Sequence, residues 1–179
     1  MKAETTDQVN YEHVTHTFGP VFDRHSKILI LGSMPSVKSR EQQFYYGHPQ
    51  NRFWKVLSAV LGEAAPDSIE DKKAFLLRNH IALWDVIESC DIIGSSDSSI
   101  KNVSGNDMRL ILDSAEIEAI YLNGGKAYEL FIKYCRPSIQ EIEPALVKLP
   151  STSPANAAWK LDRLTEAWRT ALALYLQKF

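Results

Sequence analysis

Four short apolar runs, each closing on turn-forming residues, constrain this chain more than any other feature: "KILILGS" (27–33), "IALWDVI" (81–87), "IEAIYLNG" (117–124) and "ALVKLPS" (145–151). They are hydrophobic nearly throughout, not at every second residue, as strands covered on both faces require. Helical patterns separate them. "RFWKVLSAVLG" puts Phe53, Trp54, Leu57, Val60 and Leu61 on one face and stops at Gly62, and "SIEDKKAFLLRNH" and "GGKAYELFIKYC" behave alike. A last helix is expected over 156–176, started by Pro154 and carrying Trp159, Leu164, Trp168 and Leu172. This alternation predicts a three-layer α/β/α sandwich around a mainly parallel four-stranded sheet.

The chain has 179 residues, 45% of them hydrophobic, which suits a single domain over 1–179 with one core. Residues 1–17 are expected to form a loosely ordered N-terminal arm, with "HTFGPVFDRHS" (16–26) packed beside the first strand. No apolar stretch is long enough to span a bilayer and the N-terminus lacks a signal-peptide core, so a cytoplasmic protein is expected, nucleoid-associated if bacterial. The two cysteines, Cys90 and Cys135, lie far apart in no metal-ligand pattern, and both read as buried thiols. A net charge of −2 argues against indiscriminate coating of nucleic acid, yet leaves room for a local basic face drawn from Arg40, His48, Arg52, Lys55, Lys101 and Arg109.

Ligands of open parallel sheets bind beyond the carboxyl ends of the strands. Here those ends read "GSMPS", "WDVIES" followed by a polar loop over 89–107, "NGGK" and "LPSTSPAN". The first opens a run of more than twenty residues, "GSMPSVKSREQQFYYGHPQNRFW", before any helix is expected, and connections of that length in compact domains tend to carry function. Three chemistries compete. "LNGGKAY" offers glycines and Lys126 at a helix start for a phosphate, but lacks the full P-loop spacing and the GxGxxG fingerprint, and a tight turn is the favoured explanation. A serine or cysteine hydrolase lacks a GxSxG elbow, and His48, preceding a proline, reads as a bend residue before a base. The third is recognition of an extruded base, with Phe44, Tyr45 or Tyr46 supplying a stacking face, a strand-end carboxylate or amide reading the base edge, and an amide near the sugar orienting water.

The segments "LILGSMPSVKSREQQFYYGHPQNRFW", "LWDVIESC" with "GSSDSSIKN", and "LPSTSPANA" together resemble the uracil-DNA glycosylase superfamily, most closely its hypoxanthine-DNA (deoxyinosine) glycosylase branch. The similarity runs from Phe18 into the last helix. It implies a monofunctional glycosylase of base excision repair that flips a deaminated base, hydrolyses its N-glycosidic bond and leaves an abasic site. DNA containing deaminated bases would be the partner, with no cofactor, metal or membrane, and a monomer is expected. The alternatives are a mismatch-type uracil or xanthine glycosylase, or a catalytically weak damaged-DNA or nucleotide-binding module.

Where many relatives keep a water-activating Asp or Asn in the GxxP turn, this chain has Met34, whose thioether cannot orient water. The resemblance moves that role to Asn51. It also makes Gly32, Ser33, Met34 and Pro35 the pocket floor, with His48 and one of Phe44, Tyr45 or Tyr46 in its wall. Asp85 ends the second strand, where relatives place a base-reading Asn. A carboxylate there would accept from N1–H of hypoxanthine or N3–H of uracil and oppose adenine N1, a penalty of ~1–3 kcal/mol, unless Asp85 instead caps or pairs with a neighbouring loop. Leu149 stands where relatives often have His or Asn and cannot donate to a leaving base, which disfavours uracil. Arg52, Lys101, Ser151, Thr152, Ser153 and Asn156 are the expected DNA contacts, and the serines, Asp97, Lys101 and Asn102 of 95–102 the pocket wall.

Overall fold

The four expected strands form one parallel sheet in a computed structural model that describes residues 10–178. In chain order the elements are β1 (Glu12–Thr15), β2 (Ile28–Gly32), α1 (Val37–Gln42), α2 (Phe53–Leu61), α3 (Ile69–Arg78), β3 (Ile81–Asp85), β4 (Ile87–Ile92), β5 (Lys101–Gly105), α4 (Arg109–Leu112), β6 (Ala119–Asn123), α5 (Gly125–Tyr134), β7 (Ala145–Leu149) and α6 (Leu161–Leu176). The parallel sheet runs β3-β2-β6-β7. β2 and β3 are buried along their whole length, which explains their unbroken apolar sequence.

Helices cover both faces of this sheet. The Tyr121 hydroxyl donates to the Ala171 carbonyl 2.9 Å away, fixing α6 on one face, and Phe53 of α2 packs edge-on against Trp168 of α6. Ile120 and Leu122 alternate to the other face, where α5 packs against β6. Each helix start has a local cause. Ser68 accepts from the Asp71 N–H while the Asp71 carboxylate accepts from the Ser68 N–H, a reciprocal cap for α3. Gly124, at φ 104°, turns the chain from β6 into α5, and an added Cβ would lie 3.0 Å from that of Ser151. Its N–H already donates to the carbonyls of Leu122 and Leu149, so the "NGGK" segment is a tight turn and not a phosphate loop.

The expected polar loop over 89–107 holds most of β4 and all of β5, which join β1 in a second, antiparallel sheet of order β1-β4-β5. The strand is hard to see because β4 is buried only at Ile87, Cys90 and Ile92, and its polar residues Glu88, Ser89 and Asp91 resemble loop composition. β4 continues β3 through Val86, whose N–H donates to the Gly32 carbonyl at 2.8 Å, while the Ile87 N–H reaches Ser33 at 3.1 Å. The 16–26 arm packs on β3, not on the first strand of the parallel sheet. Val21 and Leu83 exchange both backbone hydrogen bonds, covering an edge that would otherwise stay unpaired. Residues 1–9 of the expected N-terminal arm lie outside the described residues, whereas Glu12–Thr15 pair with β4.

α6 begins at Leu161, five residues later than expected, because Arg52 binds the carbonyls of Asn156 and Trp159 and holds that stretch as a loop. Cys90 and Cys135 are free and fully buried, and burial pushes the Cys135 thiol up to about 12. No helix among the described residues is long and apolar enough to cross a membrane.

Candidate active site

The four parallel strands end at one cavity of about 470 Å³. That volume lies in the range of small-ligand pockets. Gly32, Asp85 and Asn123, the last residues of β2, β3 and β6, line it together with Ser151, just beyond β7. It sits where the sheet order reverses, since β2 connects to β3 on one side and β6 to β7 on the other.

Gly32 keeps the floor open. A Cβ built there would lie 2.5 Å from Asp85 Oδ1 and 3.0 Å from the Tyr46 hydroxyl. Asp85 is 4% exposed, and its Oδ2 lies 2.8 Å from His16 Nε2. Ser33, Met34 and Pro35 line the cavity beside Gly32, and the Ser36 hydroxyl then caps α1 by accepting from the Ser39 N–H. That short helix was not foreseen in the long connection.

The aromatic triplet separates into three roles. Phe44 does not line the cavity but stacks on Trp54 in the core, so it leaves the set of stacking candidates. Tyr45 reaches the cavity wall while its hydroxyl donates to the Gly19 carbonyl at 2.9 Å. Tyr46, held at φ 54°, lies flat on Phe53 with ring centroids 3.9 Å apart, leaving its other face available. Burial, and then the neighbouring Asp85 charge, raise both phenols far above the ordinary tyrosine range, so both hydroxyls stay protonated.

His48 and Asn51 also line the cavity and bracket one turn. The Asn51 N–H donates to the His48 carbonyl at 3.0 Å, and the Gln50 N–H donates to His48 Nδ1 at 3.1 Å. The Asn51 Oδ1 accepts from the Phe53 N–H at 3.0 Å, which positions the amide at the start of α2. One lone pair of that oxygen remains, and Nδ2 has no protein partner among the described residues.

The expected DNA contacts divide. Ser151, Thr152 and Ser153 all line the cavity, with Thr152 fully buried and its hydroxyl accepting from Asn123 Nδ2. Asn156 donates to the Ser151 carbonyl. Lys101 lies over the Tyr11 ring, away from the cavity. Arg52 turns its guanidinium onto the carbonyls of Thr152, Ser153, Asn156 and Trp159, so it anchors a loop instead of facing a phosphate. A loop without ladder partners leaves carbonyls that need donors, and the arginine fork supplies several from one side chain.

The sequence pattern that defines the Uracil DNA glycosylase superfamily matches residues 20–172, a span that includes every strand end lining this cavity. The chain belongs to that superfamily. It is 36% identical over 151 residues to a Hypoxanthine DNA glycosylase of Methanosarcina acetivorans, covering 83% of this chain and 92% of the relative. It is 37% identical over 114 residues to a Hypoxanthine DNA glycosylase of Methanosarcina barkeri, covering 63% and 72%. A solution NMR structure from M. acetivorans, described as a candidate uracil DNA glycosylase, superposes with a TM-score of 0.74 at 34% identity, covering 89% of this chain and 96% of the other.

Within this superfamily fold, sequence reasoning missed two polar residues that serve the cavity, Asn123 and His16, and named Asp97 only among the residues of a pocket wall. Asn123 donates to both the Tyr46 and Thr152 hydroxyls and accepts from the Thr152 N–H, tying β6 to two walls; its place at a strand end was the available signal. Asp97 accepts from the Ser33 hydroxyl at 3.1 Å, joining the 93–99 segment to the GxxP turn. Its outer edge meets solvent, but the surrounding walls raise its carboxyl above the ordinary range. The Asp85 charge acts in the same direction, whereas Ser33 and Lys126 oppose it. His16, far away in sequence, carried no signal beyond its place in the N-terminal arm. Among the described residues, no group of three or more His, Cys, Asp or Glu side chains could hold a metal ion.

Proposed function

We propose that the protein is a monofunctional DNA glycosylase of base excision repair that releases hypoxanthine from deoxyinosine. The buried carboxylate of Asp85 at the cavity floor carries this reading. With Oδ2 engaged by His16, Oδ1 is the atom left to read a base edge. An acceptor suits the N1–H of hypoxanthine and opposes the bare N1 of adenine. The names of the two Methanosarcina relatives support the same substrate.

Tyr46 would stack on the flipped base with the ring face not covered by Phe53. The remaining lone pair of Asn51 Oδ1 would orient the attacking water toward C1′, and its dipole would favour the positive charge that develops on the sugar. Among the described residues no lysine or arginine lines the cavity, so water and not a side-chain amine would serve as nucleophile. Lys126 and Lys148 in an adjoining cleft would supply a cationic surface for flanking phosphates.

The test incubates the protein with duplexes containing deoxyinosine, deoxyuridine, deoxyxanthosine or normal bases and cleaves abasic sites with alkali. Release of hypoxanthine above the other bases is expected. Binding to abasic DNA without release of any base would replace the enzyme by a binding module. For Asp85→Asn, discrimination between hypoxanthine and adenine should fall by about 10- to 100-fold, the equivalent of one unpaired buried group. An unchanged ratio of single-turnover rates would assign Asp85 a purely structural role.

A further inference from the structure

His16 and Asp85 form a buried pair that the proposed chemistry uses only at one end. Their side chains are 2% and 5% exposed, and Nε2 to Oδ2 measures 2.8 Å. His16 follows directly on β1, and its backbone N–H extends the pairing with β4 by donating to the Glu88 carbonyl at 2.7 Å. Phe18 tilts against the imidazole at 4.5 Å between ring centroids, with Tyr45 at 5.9 Å. Its Nδ1 is buried and has no hydrogen-bond partner among the described residues. A hydrogen on Nδ1 would therefore be an unpaired buried donor, whereas a bare Nδ1 leaves only a weak acceptor unmet. The arrangement favours a hydrogen on Nε2, pointing at Asp85.

The surroundings of Asp85 make this donor matter. The titratable groups facing it are the phenols of Tyr45 and Tyr46, the Asp97 carboxyl across the cavity, His48 on the same wall, and His16 itself. Among the described residues, His16 gives the Asp85 carboxylate its one hydrogen bond. Without that donor the carboxyl could turn about its Cβ–Cγ bond, and neither oxygen would be held toward the base edge.

We infer that His16 is a specificity-determining positioning residue: its Nε2–H holds one oxygen of Asp85, so that the other oxygen stays turned to the cavity as an acceptor and selects bases carrying a proton at the paired ring nitrogen. This rests on the glycosylase reading above, and its test separates the two. In the free protein, binding of free hypoxanthine and free adenine is compared by NMR in wild type, His16→Phe and His16→Gln. The Phe variant is expected to lose about tenfold of the preference for hypoxanthine, and the Gln variant, whose amide donates, to keep it. In single-turnover assays His16→Phe should lower hypoxanthine-over-adenine discrimination by about the same tenfold. It should add nothing to Asp85→Asn.

An unchanged binding preference in a folded His16→Phe would overturn the inference, whatever the activity. If that variant does not fold, ¹⁵N shifts of the wild-type imidazole decide. Hydrogen on Nε2 supports the role, and a bare Nε2 with hydrogen on Nδ1 overturns it. A wild-type protein that releases no base while its binding preference responds to His16 would count against the glycosylase and not against the pair.

Discussion

Replacing Asn51 by Ala is expected to slow single-turnover release of hypoxanthine by about 100- to 1,000-fold, the loss that follows removal of one preorganised transition-state dipole. The same substitution removes the acceptor for the Phe53 N–H, so a stability loss of ~1 kcal/mol should accompany it. Asn51→Ser separates the effects. Its hydroxyl can still accept from Phe53 and restore most of the stability, but it has no amide to orient water. A slow, stable Asn51→Ser enzyme supports the catalytic role. A fast one would reduce Asn51 to a helix cap and return the search for the water-orienting group to the cavity wall.

The second large effect concerns stability. Arg52→Met keeps the length of the side chain but leaves the carbonyls of Thr152, Ser153, Asn156 and Trp159 without the guanidinium. Hydrogen bonds to a charged donor each contribute ~1.5–3 kcal/mol, and partial solvation of the freed carbonyls returns part of that, so a net loss of ~3 kcal/mol is expected. For a domain of this size that lowers Tm by ~6–12 °C. Calorimetry measures the shift, and hydrogen exchange should find new opening over residues 151–160. Arg52→Lys should recover only part, since a single ammonium cannot reach several carbonyls as the planar fork does. An unshifted Tm with unchanged protection would show that the loop holds itself.

These two neighbours illustrate what the sequence could and could not disclose. Asn51 stands out because it lies in a run whose residue types and order resemble a family. Arg52 reads as a DNA contact because a cation beside such a residue suggests a phosphate ligand, and no local signal announces the loop about a hundred residues away whose carbonyls it binds. The parallel sheet was legible from continuous apolar runs, and its cavity from the rule about strand ends. The antiparallel sheet was not, since β4 is buried at only three positions and β5 at none, so both look like loop. His16 shows the deepest limit. Its partner is 69 residues away, and only the β1–β4 pairing brings the imidazole to the floor of the cavity.

Val86, where the chain passes from the parallel to the antiparallel sheet, bears on how this protein can change length over time. Its N–H is bound to Gly32, its carbonyl accepts from the Asn106 N–H, and the Asn106 side chain holds the carbonyls of Asp85 and Ile87 on either side. Successive strand residues face opposite ways, so inserting or deleting one residue at this junction would break that register and turn the neighbouring side chains to the wrong face. Asp85 would leave the cavity or β4 would invert. Length variation among functional relatives should therefore be absent at 85–87 and permitted in the exposed 94–98 segment, which can lengthen without rotating any strand.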